Sequence, residues 1–180
     1  MRALPAAAVL LTAALAAGCS GGSSGSPATP GTAGASDAAK VAWNPCDGLT
    51  AAEVGRYVGE RVTEHDGTDA QPRCTFTPQT KGGAAYDVSY LSFDGGLDAA
   101  LGSMGAVARQ LRPVRVPGAQ AARLAVNTKR TGVLVTGFVQ TKGLVQSVNA
   151  VQLAPYDEGA VVAATRRLLA ALARKAPDPS

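Results

Sequence analysis

Few side chains in this 180-residue chain are equipped for chemistry. There is one histidine, His65, set between Glu64 and Asp66. A single imidazole excludes any metal or catalytic motif built on two histidines. Flanked by carboxylates it would suit a pH-sensitive or metal-touching spot, but its polar surroundings read first as a surface loop. Ser23 lies in Gly21-Gly22-Ser23-Ser24-Gly25, which matches the G-x-S-x-G of hydrolases letter for letter. That motif strains its serine only between a strand and a helix. Here it sits in a run of Gly, Ser, Pro, Ala and Thr, so no nucleophile is expected. Tyr86 and Tyr90 share one face of an expected strand, where they would either line a ligand groove or be ordinary half-buried sheet residues. Three cysteines remain: Cys19, Cys46 and Cys74. No catalytic residue, metal or cofactor is assigned.

The cysteines take their meaning from what precedes them. Residues 1–18, MRALPAAAVLLTAALAAG, carry Arg2 near the start, then a short apolar run, then small residues. This is the layout of a secretion signal. The apolar stretch from residue 4 to residue 18 would span about 22 Å as a helix, short of a hydrocarbon core of roughly 30 Å. Leu15-Ala16-Ala17-Gly18-Cys19 resembles the bacterial lipobox, with Ala16 where Leu is commonest. That resemblance implies cleavage before Cys19 and a diacylglyceryl group on its thiol. The protein is then expected at the cell membrane, lipid-anchored on its outer face, because two acyl chains suffice for stable anchoring. With Cys19 so occupied, Cys46 and Cys74 are an even pair in an oxidising setting, and a Cys46–Cys74 disulfide is expected. A metal pair would need further His or Cys ligands, and none remain.

Residues 19–40 form the lipidated cysteine and a tether of Gly, Ser, Pro, Ala and Thr without apolar periodicity. The globular domain is expected over residues 41–176, with 177–180 as a tail. Trp43-Asn44-Pro45-Cys46 should be extended, since a residue before proline avoids the helix. Thr50-Ala51-Ala52-Glu53 is a capping box that opens a short helix. A strand is suggested at 61–64, and a hairpin at 74–77 and 86–93, turned by Lys81-Gly82-Gly83. Residues 97–111 should be helical, with Leu97, Leu101, Met104, Ala108 and Leu111 on one stripe. A basic extended stretch leads to a meander of three strands, 121–127, 132–140 and 144–153. A helix over 157–175 closes the domain, with acids at its start and Arg174-Lys175 at its end to suit the dipole. The order α-β-β-α-β-β-β-α describes an α+β two-layer sandwich, a mostly antiparallel sheet with helices on one face.

Trp43-Asn44-Pro45-Cys46, Leu49-Thr50-Ala51-Ala52-Glu53, a second cysteine before a Thr-Phe strand, and Pro117-Gly118-Ala119 with Ala121-Ala122-Arg123 together resemble actinobacterial cell-envelope lipoproteins. Their shared domain has no settled biochemical function. The resemblance covers the whole mature chain. It implies a fold similar to the PsbP/Mog1-like sandwich and matches Cys46 and Cys74 to that family's disulfide pair.

Formal charge is +4, mildly basic, and no nucleic-acid partner is expected. Between Asp98 and Asp157 there is no acidic residue, while Arg109, Arg112, Arg115, Arg123, Lys129, Arg130 and Lys142 lie there. They would form either one patch for anionic envelope lipid or polymer, or scattered solvated side chains. The expected function is therefore non-enzymatic: an anchored, disulfide-stapled domain that binds a ligand or partner. The alternatives are a scaffold for another envelope protein and, further off, an envelope hydrolase.

Overall fold

The computed structural model describes residues 44–91, 93 and 95–177. The leader, Cys19, Ser23 and the tether lie outside the described residues. Among the described residues no helix is long and apolar enough to cross a membrane.

The chain opens with a single helical turn, α1 (Pro45–Gly48), where an extended stretch was expected. Asn44 itself is extended, as the proline demands, but its side chain accepts from the Cys46 N–H at 3.0 Å and starts the turn. Helix α2 (Ala51–Val58) begins on the expected box: the Thr50 hydroxyl accepts from the Glu53 N–H, and the Glu53 carboxylate accepts from the Thr50 N–H. Strands β1 (Val62–Thr68), β2 (Gln71–Pro78) and β3 (Ala85–Leu91) follow. Helix α3 (Gly96–Ser103) is half the expected length, with a separate 3-10 turn at Ala108–Gln110. Gly102 and Gly105 interrupt that apolar stripe, and glycine is a poor helix former. Then come β4 (Arg112–Pro113), β5 (Ala121–Lys129), β6 (Gly132–Thr141), β7 (Leu144–Leu153) and α4 (Glu158–Lys175).

The seven strands make one antiparallel sheet in the order β1-β2-β3-β7-β6-β5-β4. The expected α+β class is the observed one, with one more full strand than the expected order gave. The central β3–β7 pair joins the two halves, with Val88 opposite Val148. Period-two alternation sends Phe76, Tyr86, Val88, Val135, Val139 and Val148 to one face. There they pack on Leu168, Leu169 and Leu172 of α4, all fully buried. Gly137 lies under α4, and a Cβ there would meet Leu169 Cδ1 at 2.7 Å, so its bareness lets helix and sheet close together. Lys175 at the end of α4 grips both Glu53 oxygens at 2.7 Å, tying α4 to α2. This clamp, with the Thr50 N–H, holds the Glu53 carboxyl below the usual carboxylate range.

Helix α3 departs from the one-face arrangement. The Leu97 N–H donates to Gln140 Oε1 at 2.8 Å, and Leu97, Leu111, Phe138 and Val145 form a second small cluster. Phe138 and Val145 alternate with Val139 and Gln146, so this cluster occupies the opposite, outer face. Ser89–Ser147, Thr75–Asp87 and Thr136–Asn149 hydrogen bonds cover the middle of that face.

Candidate functional site: an apolar corner of the sheet

Cys46 and Cys74 are joined in a disulfide. It staples α1 to the middle of β2, where Cys74 faces Val88 in the core. Two carboxylates from β1, Glu64 and Asp66, lie close by: with the two sulfurs, their oxygens fall within 4.8 Å of one another. The sulfurs bond each other, and Glu64 Oε2 accepts from the Ala51 N–H at 2.7 Å, so this cluster caps α2 and braces the staple.

His65 is on β1 rather than in a loop, exposed, with Nε2 3.1 Å from Thr77 Oγ1. Alternation sends Glu64 and Asp66 to the other face, so neighbours in sequence are not neighbours in space. Tyr86 is in the core, 2% exposed, and burial pushes its phenol up to about 12. It lines no groove. Tyr90 is half-buried on the same face of β3.

The seven basic residues are spread along the 3-10 turn, β4, β5 and the turns that follow. Arg109, Arg112 and Arg115 cluster around β4, beside the Leu124 end of β5. Lys129 and Arg130 sit at the β5–β6 turn, about five residues or 17 Å along the strand from Leu124. Arg123 is committed to Asp98 at 3.2 Å, on the outer face beneath α3. Lys142 is in the β6–β7 turn at the far end of the sheet from Lys129.

Open depressions of about 510 and 520 Å³ lie beside the segment before β5 and beside the end of α2, the first including Arg115. Three exposed aliphatic side chains gather elsewhere. On the outer face, at the β5–β6 turn end, Leu134 pairs with Val151 and Leu153 pairs with Gly132. These side chains are 43%, 44% and 70% exposed. Together with Asn127, Lys129 and Thr131 they line a shallow groove of about 200 Å³. Gly132 leaves its floor bare; a Cβ there would lie 2.6 Å from the Gln152 carbonyl oxygen. This volume is below the 300–1,000 Å³ of typical small-molecule pockets, and the groove suits a surface contact better. Sequence reading missed this corner because both faces of β6 and β7 are largely apolar, and such runs read as core.

The family described as "Protein of unknown function (DUF3558)" matches residues 14–153. The chain belongs to that family. Among curated proteins and among solved structures, none matches. The DUF3558 match covers all seven strands and stops at Leu153, so the apolar corner lies within the shared span.

Proposed function

We propose that this DUF3558 protein is an exported lipoprotein, cut before Cys19 and held by lipid on that cysteine at the outer face of the cell membrane. Its stapled domain binds an envelope protein there, without catalysis. The family match begins at residue 14, ahead of Cys19, so the end of the leader and the tether belong to the shared span. Kinship with actinobacterial cell-envelope lipoproteins and with the PsbP/Mog1-like sandwich is part of this proposal, carried by the Trp43-to-Glu53 run and the cysteine pair.

The observation that carries the binding role is the corner of Leu134, Val151 and Leu153. Covering what these three expose would contribute on the order of 3 kcal/mol to an interface. Exposed apolar surface rimmed by polar groups marks contact sites. The corner's shallow form favours a protein partner, hence assembly with another envelope protein, over an enclosed ligand.

Two measurements test the parts separately. The mass of the N-terminal peptide from membranes should show a diacylated Cys19, lost in Cys19→Ser; an unmodified or uncleaved N-terminus would remove the anchor. Photo-crosslinking from position 153 in whole envelopes should give a discrete protein adduct that Leu134→Asp abolishes. Loss of that adduct without loss of folding supports the corner, whereas adducts indifferent to the change would refute it.

A further inference from the structure

Strand β5 is covered on its outer edge for only part of its length. Arg112 pairs with Leu124 and Pro113 with Arg123, and the Val114 N–H donates to the Ala122 carbonyl at 3.2 Å. These bonds show that even-numbered residues of β5 turn their backbone groups to this edge, while odd-numbered ones bond β6. Past Leu124 no described strand lies alongside. The N–H and C=O groups of Val126 and Thr128 therefore point outward, and residues 126–130 are all exposed. The Thr128 hydroxyl donates to Glu158 at 2.6 Å, which holds its side chain on the helical face and leaves its backbone at the edge.

This open stretch borders the apolar corner, with Asn127 opposite Leu134. It also lies between the two basic groups, Arg109, Arg112 and Arg115 at one end and Lys129 and Arg130 at the other. The nearest acids are engaged: Asp157 caps the Ala160 N–H and Glu158 holds Thr128.

We propose that the 126–128 edge of β5 receives an extended, acidic-flanked strand from a protein partner, extending the sheet to eight strands. The proposal rests on the partner-binding reading above and names its mode. Two donors and two acceptors on Val126 and Thr128 supply the backbone pairing, and alternate apolar side chains of the incoming strand settle against exposed Val126. Acidic residues at its two ends meet the two basic groups, whose spacing of about 17 Å fits five extended residues. A second copy of this chain fits poorly: pairing Val126 with Thr128 of its twin runs each Arg130 toward the other copy's Arg112. Edge strands are templates of this kind unless blunted, and Lys129 and Arg130 make this one selective for acidic sequences.

The test uses the full chain in zwitterionic detergent and a synthetic peptide, acetyl-Asp-Asp-Val-Thr-Val-Thr-Val-Asp-Asp-amide. Amide exchange followed by NMR should show Val126 and Thr128 exchanging fast in the free chain, with Asn127 already slow. Peptide should slow Val126 and Thr128 selectively. A version with Lys in place of each Asp should bind at least about tenfold more weakly, a difference of roughly 1.4 kcal/mol. Val126→Pro removes one edge donor at a position where proline is tolerated, and should abolish peptide binding while the sheet remains folded. Thr128→Pro serves if that variant fails to fold. Protection of Val126 and Thr128 in the free chain would overturn the proposal. So would peptide binding indifferent to the prolines; if Leu153→Asp still abolished it, the corner would stand as a docking site without strand addition. Anionic phosphatidylglycerol micelles that shift the Leu134 and Leu153 methyls, with no peptide effect on the edge amides, would assign the surface to lipid and also overturn it.

Discussion

Replacing both cysteines, Cys46→Ala with Cys74→Ala, should cost this domain about 3.5 kcal/mol. The figure follows from the sequence separation of 28 between the paired cysteines. Closing such a loop removes about 12 cal/mol/K from the unfolded ensemble, or about 3.5 kcal/mol near room temperature. The sites add little to it: Cys74 is wholly buried and Cys46 is 9% exposed, and alanine at each leaves only a sulfur-sized gap. The structural consequence should concentrate at α1, a four-residue turn too short to be stable by itself and held chiefly through this bond. Urea unfolding followed by circular dichroism measures the effect. With a slope of about 2 kcal/mol/M, the midpoint should fall by about 1.5–2 M, and the slope should rise because the released chain exposes more surface. A loss under about 1 kcal/mol would refute the loop-entropy reasoning. A loss confined to α1, with an unchanged global midpoint, would show that the staple serves local order instead.

Lowering the pH should weaken the α2–α4 clamp. Glu53 has a depressed carboxyl, so its contribution is present above the ordinary carboxylate range and lost as pH falls through its folded value. The acid-side drop in urea midpoint should be shallower in Glu53→Gln, and Lys175→Ala should show the same flattening. Gly137→Ala drives a methyl into Leu169 and should destabilise by about 1–3 kcal/mol, read as a lower thermal midpoint. Tyr86 should ionise late, near its raised value of about 12. Unfolded tyrosines ionise near pH 10, so stability should fall as pH rises from there; ultraviolet titration should show one late tyrosinate, missing in Tyr86→Phe.

Local signals were readable wherever one residue determines one contact. The capping box at Thr50 and Glu53, the acids and bases at the ends of α4, the three-strand meander and the cysteine pair all correspond to the structure. Strand β1 was only half seen because Val62 is its one buried side chain. It is an edge strand held by β2, and nothing in Thr-Glu-His-Asp-Gly-Thr displays the period of a buried face. Whether the basic residues share a patch was left open because sequence distance ignores strand direction. Arg123 and Lys129 share β5 yet stand near opposite ends of it. The apolar corner was hidden by the same kind of ambiguity: Leu134, Val151 and Leu153 are indistinguishable in type from their core neighbours, and only the sheet's covering decides which face stays open.

The β3–β7 pair has a consequence for how the chain reaches this state. Residues 85–91 bond residues 145–151, partners 54 to 66 positions apart in the chain. A polypeptide that emerges amino end first must hold β1, β2 and β3 as an unfinished sheet until β7 arrives. Cys46 and Cys74 both precede that moment. Their bond can form within the early half and order β1 to β3, but it lies outside the loop that the β3–β7 pairing closes, so that closure keeps its full entropy cost. Strand β7, followed at once by α4, then completes both the sheet and its cover, so the ordering of this domain is timed by its last third.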